Sequence, residues 1–204
     1  MRILHFAESF SQPTETFIKR YVQKSYQFAE VGVVAFNFQS IEPEIKERVQ
    51  LFEITNRLYT RKTISGAARY AYEQLSGTRL WYQELEKAIE TFKPDIIHCH
   101  FGNAGIMMME FNSKFKKKTP FVTSFYGYDI SSQPGIEKTY RKKLSRLWKQ
   151  GNGFFAEGPE LLKKITALGG SEKKCLVNPL LIPVEDYPIK ETYRENILIS
   201  FNLN

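Results

Sequence analysis

The sequence predicts an α/β domain built on a doubly wound, mostly parallel sheet, and three observations carry that prediction. Short apolar runs alternate along the chain with longer segments of helical period. Most of those runs are unbroken rather than strictly alternating, the pattern of strands covered on both faces. Their strand, helix, strand order implies right-handed crossovers that place helices on both sides of one sheet.

The expected strands, in order, are 3–7, 32–36, 49–54, 95–100, 121–125, 153–156 and 174–177. The first helix carries Phe17, Tyr21, Ser25 and Phe28 along one face, with Pro13 at its first helical position. Glu15 follows two residues later, where the helix dipole favours a carboxylate. A second helix shows Trp81, Leu85, Ala88, Ile89 and Phe92, and Pro94 ends it. A third follows Ala104, Met107, Met108, Phe111 and Phe115. A fourth follows Ile136, Tyr140, Leu144, Leu147 and Trp148. A fifth, with Leu161, Leu162, Ile165 and Leu168, is opened by Pro159 and closed by Gly169 and Gly170. The polar stretch 55–77 reads as a loop leading into a helix.

Bulk properties narrow the function classes. The 204 residues suit one domain of ordinary size, and 42% hydrophobic with 14% aromatic residues excludes disorder. No run of about 18 uncharged apolar residues is present, so no membrane-spanning helix is expected. The N-terminus lacks a signal-peptide pattern. Cys99 and Cys175 form no disulfide framework, which points to reduced, buried thiols in a cytoplasmic protein.

The net charge of +7 is unevenly spread. Residues 114–174 hold 14 Lys and Arg against 5 Asp and Glu, a local +9, and the remainder is about −2. Such a half attracts an anionic partner, or it is a solvated face that aids solubility. No nucleic-acid motif accompanies it, and no nucleic-acid partner is expected.

Ligands of open α/β sheets bind beyond the carboxyl ends of the strands, and four segments fall there. Residues 8–16 lack a glycine-rich phosphate loop, which argues against a dinucleotide site. They offer Ser9, Ser11, Thr14, Glu15 and Thr16 beside a helix N-terminus, for a ligand hydroxyl or phosphate or for ordinary capping. His98 and His100 share a strand face, with Cys99 pointing away. His5 is the one other histidine and no further ligand is suggestively spaced, so no metal is expected. His100, followed by flexible Phe101 and Gly102, suits a hydrogen bond or proton shuttle in the cleft. His98 suits a packed structural role. Gly127 permits a sharp turn after Tyr126, leaving Asp129 to bind sugar hydroxyls or to cap its own turn. Glu157 sits at another strand-to-helix junction, facing the cleft or stabilising the helix start.

Four stretches in order, 11–18 (SQPTETFI), 94–102 (PDIIHCHFG), 124–131 (SFYGYDIS) and 156–177 (ending in LLKKITALGGSEKKCLV), resemble the N-terminal domain of GT-B retaining glycosyltransferases. The nearest branch is the colanic acid and lipopolysaccharide type. Two departures stand out: Tyr126 replaces the usual histidine of the third stretch, and 178–187 lacks the family's pattern after the interdomain crossing.

The resemblance implies a Rossmann-like acceptor-binding domain over 1–190, one half of a GT-B architecture. Residues 191–204 are then a linker and the first strand of a donor-binding domain. It implies transfer from a nucleotide-sugar co-substrate to a saccharide or lipid-linked acceptor in surface polysaccharide synthesis, with no cofactor and no metal. His100, Tyr126 and Asp129 are the catalytic candidates. Ser11, Glu15, Thr16, Gly102, Gly127 and Glu157 are the cleft candidates. Enzymes of this kind act peripherally at the inner face of the plasma membrane. Lys116, Lys117, Lys118, Arg141, Lys142 and Lys143 would then meet its anionic surface. Without a donor domain in cis or trans the chain is expected to be inactive. The alternative is a stand-alone module that holds glycans without turnover.

Overall fold

The computed structural model describes residues 1–54, 71, 75, 81–117, 119–131 and 138–180. Seven strands form one parallel sheet: β1 (Arg2–Phe10), β2 (Glu30–Phe38), β3 (Val49–Glu53), β4 (Ile96–His100), β5 (Phe121–Phe125), β6 (Gly153–Ala156) and β7 (Cys175–Val177). Their spatial order is β3-β2-β1-β4-β5-β6-β7, so the winding reverses between β1 and β4. The fold is Rossmann-like, and each expected strand is present.

The helices are α1 (Thr16–Ser25), α2 (Pro43–Arg48), α3 (Tyr82–Phe92), α4 (Phe101–Phe115), α5 (Tyr128–Ser131), α6 (Lys138–Gln150) and α7 (Pro159–Ala167). Each central strand buries side chains on both faces, as its unbroken apolar run requires. On β1, Leu4 and Phe6 enter one cluster with Phe92, Met108, Phe121, Leu147 and Phe154, under α3, α4 and α6. Ala7 and Phe10 enter a second cluster with Ile18, Val22, Val33 and Ile45, under α1 and α2. Burying each such phenylalanine contributes roughly 2–3 kcal/mol.

The helix ends follow their local chemistry. Lys93, in the left-handed conformation at φ 52°, closes α3 just before Pro94. Pro159 opens α7, and Gly169 (φ 95°) turns the chain so that Gly170 N–H reaches Ile165 O at 3.0 Å. Tyr140, Leu144, Leu147 and Trp148 of α6 are buried, so its apolar stripe packs inward. Lys174 Nζ donates to Lys149 O at 3.3 Å in the last turn of that helix and to Gly151 O at 2.9 Å just past its end.

Several expectations are corrected. Helix α1 starts at Thr16, so Pro13 precedes it and Glu15 is its N-cap. Its buried face is Ile18, Tyr21, Val22 and Ser25, and Phe28 lies beyond the helix, 63% exposed. The 3.6 period does not extend past Ser25, because the chain turns there to enter β2. Strand β1 runs on to Phe10, so Glu8 and Ser9 are strand residues rather than loop. Helix α4 follows β4 with no loop between them. Phe101 is its first residue, at φ 70°, rather than part of a flexible segment. Helix α2 was not expected. The loop over 55–77, save residues 71 and 75, and the linker over 191–204 lie outside the described residues, as do Ile136 and Lys118.

Candidate functional site

The reversal between β1 and β4 leaves a crevice at their carboxyl ends, where neighbouring crossovers leave the sheet on opposite faces. A pocket of about 240 Å³ lies there, lined by Ala7, Glu8, Ser9, Glu15, Phe101, Asn103, Tyr128 and Asp129. Strand β1 supplies Glu8 and Ser9, the N-cap of α1 supplies Glu15, the first turn of α4 supplies Phe101 and Asn103, and α5 supplies Tyr128 and Asp129.

Glu15 makes no side-chain bond to its own helix, so its carboxylate is available to the pocket. Partial burial raises its pKa, and the neighbouring charge of Glu8 raises it further. Asp129 is buried, and its two oxygens are used structurally. Oδ2 accepts from Gly102 N–H at 2.8 Å, and Oδ1 accepts from Tyr126 N–H at 3.2 Å. It thus ties the start of α4 to the turn after β5. Burial pushes its pKa up to about 6 against the opposing pull of those two donors.

His100 does not face the pocket; it is fully buried behind it. Its Nδ1 lies 2.7 Å from the Tyr126 hydroxyl and its Nε2 lies 2.9 Å from His5 Nδ1. His98 Nε2 lies 2.7 Å from Ser124 Oγ, a packed position of the kind expected for it. Burial lowers the pKa of His98 to about 4 and carries those of His5 and His100 well below the usual value, so the three rings are neutral. The hydroxyl of Tyr126 is turned inward to His100, while its ring packs on Phe17 and Phe101 with centroids 4.4 and 4.9 Å away. Burial raises the Tyr126 pKa well above its ordinary value, so the phenol stays protonated.

The remaining candidates separate. Gly102 is buried, with its N–H taken by Asp129. Gly127 adopts φ 93°, the turn its lack of a side chain permits, and Glu157 Oε1 lies beside it. Ser11 donates to Ser40 O at 2.9 Å, away from the pocket lining, and Thr16 is the first residue of α1. Among the basic residues, Lys117 pairs with Glu86 and Glu90, and Lys143 pairs with Glu110. Arg141, Lys142 and Arg146 are exposed on α6. Sequence reasoning missed Glu8, Asn103 and Tyr128 as lining. Their only local signal was position at the carboxyl end of a strand. It named His5 as the third histidine, but nothing in its spacing linked it to His98 and His100.

The family model described as glycosyl transferase 4-like matches residues 3–152. The chain belongs to this glycosyltransferase family. Solved structures agree in fold. HepE from Anabaena, solved with UDP and glucose, superposes with a TM-score of 0.65 at 13% identity, covering 98% of this chain and 50% of its own. The lipopolysaccharide outer core galactosyltransferase WaaB gives 0.55 at 14% identity, covering 87% of this chain and 45% of its own. Sucrose-phosphate synthase from Thermosynechococcus elongatus gives 0.62 at 9% identity, with 100% and 53% coverage. No curated protein sequence matches the chain. The chain therefore spans about half the length of these structures, one half of a GT-B architecture. No helix among the described residues is long and apolar enough to cross a membrane.

Proposed function

We propose that this chain is the acceptor-side half of a retaining glycosyltransferase. It moves a sugar from a nucleotide-sugar to a saccharide or lipid-linked acceptor in surface polysaccharide synthesis. The observation that carries this reading is the pocket at the switch point between β1 and β4. Glu8, Glu15 and Asn103 supply polar oxygens for sugar hydroxyls, and Phe101 and Tyr128 supply aromatic faces. The π-face is negative and attracts the polarised C–H groups of a sugar ring. A pocket of about 240 Å³ has room for one such ring.

In this reading Glu15 accepts a hydrogen bond from the acceptor hydroxyl, and its raised pKa makes it a better acceptor than a surface carboxylate. Asp129 fixes the two backbone segments that shape the pocket floor. The nucleotide-sugar is a co-substrate held mainly by a donor-binding domain, in cis or trans, and the chain alone is inactive. The exposed basic face of α6 rests on the anionic inner face of the plasma membrane.

Joining the chain to a donor domain and measuring transfer tests this. Transfer should appear, and Glu15→Gln should lower it about tenfold or more, as loss of a hydrogen bond to a charged group does. Saccharide binding with no transfer in the joined protein would favour the stand-alone module instead. Absence of both would overturn the assignment of the pocket.

A further inference from the structure

The chain has three histidines, and the fold gathers all of them at one point. His5 on β1 is in register with His98 on β4, and His100 lies two residues further along the same face. The ring centroids are 5.2 Å apart for His5 and His98, 5.2 Å for His5 and His100, and 4.3 Å for His98 and His100. One ring nitrogen from each lies within 4.8 Å of the other two. All three rings are buried, and His5 Nε2 has no hydrogen-bond partner among the described residues.

We propose that these three imidazoles bind a single divalent transition-metal ion, with Zn²⁺ the first choice. Imidazole nitrogen suits Zn²⁺, Cu²⁺ and Ni²⁺, and neutral rings keep the lone pairs that coordination needs. A tetrahedral zinc with bonds of about 2.0–2.1 Å sets its ligand nitrogens about 3.3 Å apart. The 2.9 Å contact between His5 Nδ1 and His100 Nε2 must then open slightly while the other separations close. Both are adjustments that side-chain torsions provide.

Two second partners are already in place. His98 Nε2 meets Ser124 Oγ, leaving Nδ1 for the metal. His100 Nδ1 meets the Tyr126 hydroxyl, leaving Nε2. Such partners orient metal-bound imidazoles. Cys99 belongs to the opposite face and is not a ligand. The fourth position is left to water or hydroxide. Occupancy would fix His100 and, through Tyr126, the aromatic wall formed with Phe17 and Phe101. None of the three histidines lines the pocket, and the metal would act on it only by stiffening that wall.

The experiment uses the full chain, without a histidine tag and stripped of metal by a chelator, titrated with Co²⁺. One equivalent should give the visible absorption of tetrahedral cobalt, Zn²⁺ should displace it, and Zn²⁺ should raise Tm. His5→Phe should abolish the signal. Ser124→Ala, which keeps all three ligands and threatens folding less, should weaken cobalt binding about 10- to 100-fold. No tetrahedral cobalt signal from the unaltered chain would overturn the proposal. So would equal affinity in a folded His5→Phe or Ser124→Ala protein. The triad would then be a neutral relay from Tyr126 through His100 to His5.

Discussion

At the scale of single residues, Asp129 shows how a carboxylate can belong to a pocket and still be part of the scaffold. Its pKa of about 6 lies above the unfolded value of 3.8, so the folded state holds its proton more tightly. The stability it contributes is complete below about 3.8 and lost as pH rises through about 6. Asp129→Asn carries no charge at any pH. The stability of this variant relative to the parent should therefore improve by about 2 kcal/mol between pH 4 and pH 7, because part of the unfolded-state titration already lies below pH 4. Urea melts across that range would show it. A gap that stays constant would mean that the carboxylate is not held in a desolvated place. Tyr126 allows a second test. Tyr126→Phe keeps the ring on Phe17 and Phe101 but leaves His100 Nδ1 without its partner, at a cost of about 1–3 kcal/mol. Tyr126→Ala should cost more, because the aromatic packing goes as well.

At the scale of elements, the site depends on how closely α4 lies on β5. A side chain at Gly105 would begin 2.4 Å from Thr123 Oγ1, and one at Gly102 would begin 2.3 Å from the Tyr140 hydroxyl. Both glycines are therefore required by packing, and the φ of neither is unusual. Gly105→Ala should destabilise by about 1–3 kcal/mol. Adding Thr123→Ala should return part of that loss, since it removes the atom in the way and Thr123 Oγ1 has no partner among the described residues. Failure of the pair to recover any stability would place the strain elsewhere. The end of α6 depends on a different group. Lys174 Nζ reaches carbonyls at and just beyond that helix, where the dipole favours a cation. Lys174→Met should lower stability by about 1–2 kcal/mol in a denaturant melt.

At the scale of the whole molecule, the positive charge is less available than its count suggests. The local +9 over residues 114–174 includes Lys117 and Lys143, which are already paired with glutamates. Exposed Arg141, Lys142 and Arg146 share one helix. If this half meets an anionic bilayer, reversing those three to Glu should abolish sedimentation with phosphatidylserine vesicles, at about 1 kcal/mol per charge. Lys117→Ala and Lys143→Ala should change it little, and added salt should weaken it throughout. Equal loss from both sets would assign the effect to net charge rather than to the face of α6.

The sequence by itself determined the sheet and most of its cover. Seven short runs became seven parallel strands, and the central ones are unbroken because burial on both faces leaves no room for alternation. Stripes such as Leu85, Ala88 and Phe92 became buried helix faces. It also placed Glu15, Gly127 and Asp129 at strand ends, where ligands of such sheets bind. Helix boundaries were less legible. Pro13 and Phe28 fit a helical pattern that the chain leaves at both ends to enter and exit β-strands. Only the tertiary structure decided which polar groups meet. His5 lies 95 residues from His100, yet their nitrogens are 2.9 Å apart because β1 and β4 are neighbours across the reversal of the sheet. Phe101 and Asn103 of α4 come to line one pocket with Glu8 and Glu15 for the same reason, and His100 is withdrawn from it. Local pattern records which side of a strand a residue is on. Pairing between distant strands, set by the packing of the whole sheet, decides what lies beside it.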